Sequence, residues 1–194
     1  LPVSDFTDAT DNAAALNKAK VLIEALPYIQ KFSGTTVVIK YGGHAMVDTR
    51  LQDAVMEDIA LMKLVGMRPV VIHGGGPEIN QTLDRLGIQS EFVRGDRVTD
   101  AQTMEVVEMV LTGKVNQRLV SRLQQQGIPA VGISGRDGGT LLTEPRHIEG
   151  RHMGFLGQVT GVDTTLIESL IASGFVPVIS PVGVDAQGNA INLN

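Results

Sequence analysis

The sequence predicts an α/β fold in which helices cover both faces of a mostly parallel sheet. Three observations lead there. Short β-branched runs, at Thr36–Tyr41, Arg68–His73, 129–133 and 175–180, alternate with stretches of helical periodicity. The runs are nearly continuously apolar, as in strands buried on both faces. Two of them run straight into glycine clusters, Gly42-Gly43 and Gly74-Gly75-Gly76. Open α/β sheets bind ligands at these carboxyl ends.

Residues 13–26 read as a helix with Leu16, Ala19, Leu22, Ile23 and Leu26 on one stripe, closed by Pro27. After the first strand, Thr49 and Gln52 have capping-box spacing for a helix to Val65, stopped by Gly66. The second strand leads into a helix over 77–86. Pro77 suits its first turn, where no N–H is needed, and Gly87 ends it. Residues 88–93 read as a short edge strand. Thr99 and Gln102 repeat the capping-box spacing, and the helix that follows aligns Met104, Val107, Val110, Leu111, Val115, Leu119 and Leu123. Residues 129–133 form the third core strand. Leu141–Ile148 and 155–162 read as a β-hairpin. Asp163 caps a helix to Ala172, Gly174 stops it, and 175–180 form the fourth core strand. Residues 183–194 carry a Gln-Gly-Asn turn and read as a second hairpin, cut short, so the chain reads as a fragment of a longer protein.

The chain has 194 residues, 43% of them apolar, which suits one domain with a small appendage. We divide it into an N-terminal extension, 1–30, and a lobe, 31–194. A net charge of -5 argues against a nucleic-acid partner. The lack of cysteine excludes disulfides, thiolate catalysis and Cys-based metal sites. No apolar run approaches the roughly 20 residues that span a bilayer, so no membrane partner is expected. Residues 1–12 are acidic and lack arginine, unlike a signal or transit peptide, although Leu1 in place of Met leaves a processed N-terminus open.

Several residues carry candidate chemistry. Gly74 to Gly76 precede a helix N-terminus, where free N–H groups and the helix dipole favour an anion. A tight βα turn is the alternative, but three successive glycines exceed its needs and each lowers stability through unfolded-state entropy. The segment matches neither the G-x-x-x-x-G-K-[ST] phosphate loop nor the G-x-G-x-x-G dinucleotide fingerprint. Lys40 either points outward at a sheet edge or reaches over its glycine turn toward phosphoryl oxygens. Arg97, in Gly95-Asp96-Arg97-Val98-Thr99, either pairs on the surface with Asp96 or Asp100 or clamps a carboxylate. Asn192 and Asn194 share one face of the last strand; they either bind a small polar ligand or sit in a turn or on an exposed face. His44, His73, His147 and His152 lack metal-ligand spacing on a helix and read as structural or solvated. Residues 134–139 read as a polar loop. No Gly-x-Ser-x-Gly elbow is present, which argues against a serine hydrolase.

Lys40-Tyr41-Gly42-Gly43, His73-Gly74-Gly75-Gly76-Pro77, Gly95-Asp96-Arg97-Val98-Thr99 and Ile191-Asn192-Leu193-Asn194 occur in the order seen in acetylglutamate kinases. Over roughly residues 12–194 the chain resembles that branch of the amino acid kinase family. The first glycine turn alone would also fit glutamate 5-kinase, aspartokinase or uridylate kinase. The resemblance implies a three-layer αβα sandwich with added β-hairpins. In it an N-terminal lobe binds N-acetyl-L-glutamate, and a C-terminal lobe, missing here, binds ATP with Mg²⁺. The implied reaction phosphorylates the side-chain carboxylate, in arginine biosynthesis. By motif, Gly75 and Gly76 would bind the substrate through backbone N–H groups, Arg97 its α-carboxylate, and Asn192 its acetamido and carboxylate end. Lys40 would stabilise the transferring phosphoryl group, with Gly42 and Gly43 on the same oxygens. No residue of this chain is expected to ligate a metal. The family's second lysine, its lysine-organising aspartate and the adenine pocket would follow Asn194, so the chain alone is expected to be inactive.

The resemblance also implies a homo-oligomer, either a dimer or a hexamer joined through the N-terminal helix and inhibited by arginine. Packing of that helix on its own lobe is the alternative. Binding of the PII signal protein is a further expectation. So is a cytoplasmic location, or the plastid stroma if a transit peptide has been removed. Two other readings stay open: a non-catalytic, acyl-amino-acid-binding regulatory module, and a related kinase for free glutamate or aspartate.

Overall fold

The computed structural model describes residues 9–46 and 48–194; the first eight residues of the expected extension lie outside it. In chain order the elements are α1 (Ala9–Phe32), β1 (Thr36–Tyr41), α2 (Thr49–Leu64), β2 (Arg68–His73), α3 (Gly76–Arg85), β3 (Phe92–Val93) and β4 (Asp96–Arg97). There follow α4 (Ala101–Glu108), a π-helical segment (Met109–Val115), α5 (Asn116–Gln125), β5 (Ala130–Ser134), β6 (Leu141–Ile148) and β7 (Arg151–Val162). The chain finishes with α6 (Thr165–Ala172), β8 (Val176–Ser180), β9 (Val182–Val184) and β10 (Ala190–Leu193).

The four apolar runs form one parallel sheet in the order β1-β2-β8-β5. The β1–α2–β2 crossover steps across the sheet in one direction, and the β5–α6–β8 connection steps back in the other. Parallel crossovers are right-handed, so α2 and α6 fall on opposite faces, giving the αβα layering. Packing agrees. Met56 and Ile59 of α2 share a buried cluster with Leu119 and Leu123 of α5 and with Val71, Val176 and Val178 of the sheet. Helix α6 rests on β8, whose Pro177 and Ile179 alternate away from that cluster. The two crossovers converge on the boundary between β2 and β8, and the crevice lies beyond the carboxyl ends of the strands, as in other open α/β sheets.

Both hairpins form, the first with its second strand beginning at Arg151 rather than 155, but they assemble in a way local pattern does not show. Strands β10, β7, β6 and β9 close into a four-stranded barrel beside the sheet. The expected edge strand over 88–93 narrows to Phe92 and Val93, paired with β4 and separate from the main sheet. Arg94 and Gly95 between them both have positive φ, as a two-residue hairpin with strand-matched twist requires.

Other expectations are corrected. The first helix runs through Pro27 to Phe32. Proline removes one helical hydrogen bond, and the Ile23 carbonyl it frees lies on an exposed stretch open to water. Both capping boxes are displaced by one residue. Asp48, not Thr49, accepts the Arg50 N–H at 2.8 Å, and Gln52 donates to the Met46 carbonyl. Asp100, not Thr99, accepts the Thr103 N–H at 2.8 Å. An ionised carboxylate with free N–H groups in reach is the stronger acceptor there. The long apolar helix is interrupted by the π-helical segment, although its predicted face is buried throughout. The stripe on α1 does not pack on its own lobe: Leu16 and Ile23 are 63% and 64% exposed.

Directly after the π segment, the buried Asn116 donates from Nδ2 to the Val178 carbonyl at 2.8 Å, tying the helix to β8. A Cβ on Gly132 would overlap Asn116 Oδ1, so β5 can approach only with glycine at that position. We expect Gly132→Ala to destabilise the fold by about 1–3 kcal/mol through overpacking. Urea unfolding would show it as a lowered midpoint with an unchanged slope; an unchanged midpoint would contradict this packing.

Candidate active site

Strands β1 and β2 run in register, with Tyr41 opposite His73. The ladder continues one step further, as the Gly74 N–H donates to the Tyr41 carbonyl at 2.8 Å. The two glycine turns therefore lie side by side at the crevice. They line a cleft of about 350 Å³. The cleft brings together every site residue expected from the sequence: Lys40, Gly42 and Gly43 from the first turn, Gly75 and Gly76 from the second, and Arg97, Asn192 and Asn194 from distant segments.

The second turn is shaped by close approach. A Cβ on Gly75 would come within 2.5 Å of Leu111 Cδ2, because the π segment presses Leu111 onto the turn. Helix α3 starts at Gly76, and its first N–H groups precede the helical ladder. Among the described residues, neither the Gly75 nor the Gly76 N–H has a protein acceptor. Lys40 is exposed on the sheet's edge strand. Among the described residues it makes no ion pair, so its ammonium can reach over the turn.

Arg97 is 7% exposed, which removes the surface-pair reading. Pairing of Phe92 with Arg97 across the hairpin stacks the guanidinium 4.6 Å from the ring centre. The guanidinium donates to Ser90 Oγ at 2.6 Å and to Asn80 Oδ1 at 2.5 Å. Both acceptors are neutral. Burial pulls the Arg97 pKa down, with Asp84 opposing, as expected of a desolvated cation with no carboxylate against it. Its two candidate partners are committed elsewhere. Asp96 accepts from Asn194 Nδ2 at 2.7 Å and pairs with Arg146 at 3.2 Å, while Asp100 caps α4. Asn192 donates to Thr99 Oγ1 at 3.1 Å, and Thr99 donates to the Arg97 carbonyl at 3.0 Å. The Asn192 carbonyl oxygen has no protein partner among the described residues.

The cleft thus offers N–H groups, a primary ammonium and a desolvated guanidinium to an anionic ligand with two charged ends. A second cavity, about 480 Å³, lies against β5 and α4. Its cation, Arg136, already pairs with Glu108, so the larger space is chemically the poorer candidate. Of the histidines, His73 is buried at the foot of the second turn, and His147 and His152 stack edge to face on β6 and β7. The side chain of His44 lies outside the described residues. Asn80, Ser90, Phe92 and Asp96 were not singled out in the sequence for the roles they have here. The charge of Asp96 beside Arg97 was the available signal, and it suggested the wrong pair.

The model of the amino acid kinase family matches residues 35–194. The chain belongs to the amino acid kinase family. It is similar to the acetylglutamate kinase of Syntrophomonas wolfei, 56% identical over 181 residues that cover 93% of this chain and 63% of that protein. It is similar also to the acetylglutamate kinase of Trichodesmium erythraeum, 53% identical over 183 residues, 94% of this chain and 62% of that protein. The chain therefore spans a little under two thirds of the length of these relatives. Among solved structures, N-acetylglutamate synthase from Neisseria gonorrhoeae, complexed with coenzyme A and N-acetyl-glutamate, superposes with a TM-score of 0.75 at 27% identity, covering 89% of this chain and 39% of that one. Carbamate kinase from Giardia lamblia, at 14% identity and a TM-score of 0.54, shares the fold. The amino acid kinase fold is thus the frame that holds this cleft.

Because Arg97 is a buried cation with no ion-pair partner among the described residues, we expect Arg97→Met to leave stability unchanged or to raise it. A fall in unfolding free energy above about 1 kcal/mol would instead make Arg97 a structural brace.

Proposed function

We propose that this chain is the amino-acid-binding lobe of an acetylglutamate kinase, which transfers the γ-phosphoryl group of ATP to the side-chain carboxylate of N-acetyl-L-glutamate. The observation that carries the reading is Arg97: a desolvated guanidinium, held by neutral partners, in the same cleft as two glycine turns and a lysine that makes no ion pair among the described residues. Such a site fits a substrate with one carboxylate to anchor and another to react. The similarity to acetylglutamate kinases over most of this chain supports the same substrate class.

In this reading Arg97 holds the α-carboxylate and Asn192 the acetamido end, its free carbonyl oxygen accepting the amide N–H. Gly75 and Gly76 donate to the substrate from the start of α3. The reacting carboxylate is ionised at neutral pH, so no general base is needed and no proton moves. One carboxylate oxygen forms the new bond to the γ-phosphorus as the bond to the bridging oxygen breaks, and ADP leaves with that electron pair. Lys40 and the N–H groups of Gly42 and Gly43 meet the charge on the transferring oxygens. Positioning and charge stabilisation of this kind account for most catalysis of phosphoryl transfer. The nucleotide half would lie in the length that the relatives have and this chain lacks. Among the described residues no group of three His, Cys, Asp or Glu side chains could hold a metal ion. Mg²⁺ arriving with ATP would be held mainly by phosphate oxygens and water.

An ADP-release assay on the full-length protein tests the reading. We expect turnover with N-acetyl-L-glutamate well above that with free glutamate or aspartate. Lys40→Ala should lower kcat by on the order of 10²–10³. Calorimetric binding of N-acetyl-L-glutamate without turnover would point to a regulatory module, and preference for a free amino acid would replace the substrate.

Self-association through α1 fits the same protein. The helix exposes Leu16, Leu22, Ile23 and Leu26, a stripe that pairing with a second copy would bury. Deleting residues 9–32 should lower the number of subunits seen by sedimentation; an unchanged mass would exclude α1 from the interface.

A further inference from the structure

We propose that His73 is a positioning residue: together with Asn116 it turns the Gly74–Gly75 peptide so that the Gly75 N–H faces the cleft. The inference rests on the kinase reading only for the identity of the substrate.

Asn116 starts the chain of constraints. Its side chain is 1% exposed, and its Nδ2 stands 2.8 Å from the Val178 carbonyl. A carbonyl only accepts, so the amide nitrogen, not its oxygen, must face β8. The second N–H of that amide has two acceptors in reach, the nearer being His73 Nε2 at 3.2 Å and the other the Ile133 carbonyl at 3.4 Å. A ring nitrogen that receives an N–H carries no proton of its own. The Gly74 carbonyl, 2.7 Å from Nδ1, can only accept, so the proton of neutral His73 sits on Nδ1, in agreement with Asn116 at Nε2. Burial pulls the His73 pKa down and keeps the ring neutral, with the Gly74 bond opposing.

The consequence follows from peptide geometry. In a planar trans peptide the carbonyl of Gly74 and the N–H of Gly75 point in opposite directions. Drawing the oxygen toward His73 sends the N–H to the other side. The flanking peptides are held separately: Gly74 N–H on the Tyr41 carbonyl, and the Gly75 carbonyl on the Ile79 N–H at 3.0 Å. Between two residues without Cβ, the intervening plane would otherwise rotate with little resistance. His73 is the side chain that restrains it. The space for this relay is built in, since Gly132 leaves room for the Asn116 amide.

The test uses the full-length protein, with the wild type first assayed on N-acetyl-L-glutamate so that failure of the substrate reading is seen there. ¹⁵N spectra of the wild type should show His73 neutral with the proton on Nδ1. The Nε2–H tautomer, or an imidazolium at neutral pH, would overturn the relay whatever the substrate. In kinetics, His73→Leu should raise KM for the acyl amino acid about ten-fold with KM for ATP little changed. His73→Asn, whose amide N–H can stand where Nδ1–H stands, should restore most of the loss. An unchanged KM in the leucine variant, or equal losses in both variants, would also overturn it. The tautomer measurement needs no variant and decides the matter even if His73→Leu fails to fold.

Discussion

The hydrogen bond from the Gly74 N–H to the Tyr41 carbonyl is the contact on which the site depends. It carries the β1–β2 ladder past the last paired residues and locks one glycine turn to the other. Had the register slipped by one residue, the side chains of β2 would exchange faces, and His73 would point away from Asn116. Because the register holds, the first turn places a lysine, and the second a helix start, at the mouth of one crevice. The crevice itself lies beyond the carboxyl ends of the parallel strands, the usual ligand position of an open α/β sheet.

Charge is distributed in the cleft with the same economy. Asp96 and Asp100, the acids nearest Arg97 in sequence, are each occupied by other groups. Asp96 joins β4 to the end of β10 and to β6, so it braces the hairpin that carries Arg97. The guanidinium is left with a hydroxyl, an amide oxygen and an aromatic face. Neutral oxygens orient it without cancelling its charge, which is the condition for an anion receptor in a low-dielectric site. On the far side of the turn, Leu111 of the π segment presses against Gly75, and Asn116 begins the next helix. The irregular turn thus both shapes the glycine loop and supplies a side chain that orients it, in keeping with the frequent placement of π turns near functional sites.

Much of this was legible in the chain itself. The core strands were visible as unbroken apolar runs, which burial on both faces explains for β2 and β8 whereas the edge strand β1 leaves Val38 exposed, and the helical face from Met104 to Leu123 was visible because its periodicity survives the π segment. Lys40, the two glycine turns, Arg97 and Asn192 were visible as chemistry at strand ends and in motifs. The misreadings are local competitions. Thr49 and Thr99 have the spacing of caps, yet the adjacent aspartates are better acceptors. Pro27 has the character of a stop, but in an exposed helix water can serve the carbonyl it frees.

The sequence by itself determined which segments become strands and helices, and where backbone must stand bare, because periodicity and glycine act over a few residues. Tertiary structure alone decided the insertion of β8 between β2 and β5, the closure of two hairpins into a barrel, and the partners of Arg97, His73 and Asp96. These depend on groups tens of residues apart: Asn80 and Ser90 for Arg97, Asn116 for His73, Asn194 for Asp96. No local pattern records a hydrogen bond to a side chain that only the folded sheet brings near. That is why the residues of the cleft could be named in advance, while the orientation of each polar group within it could not.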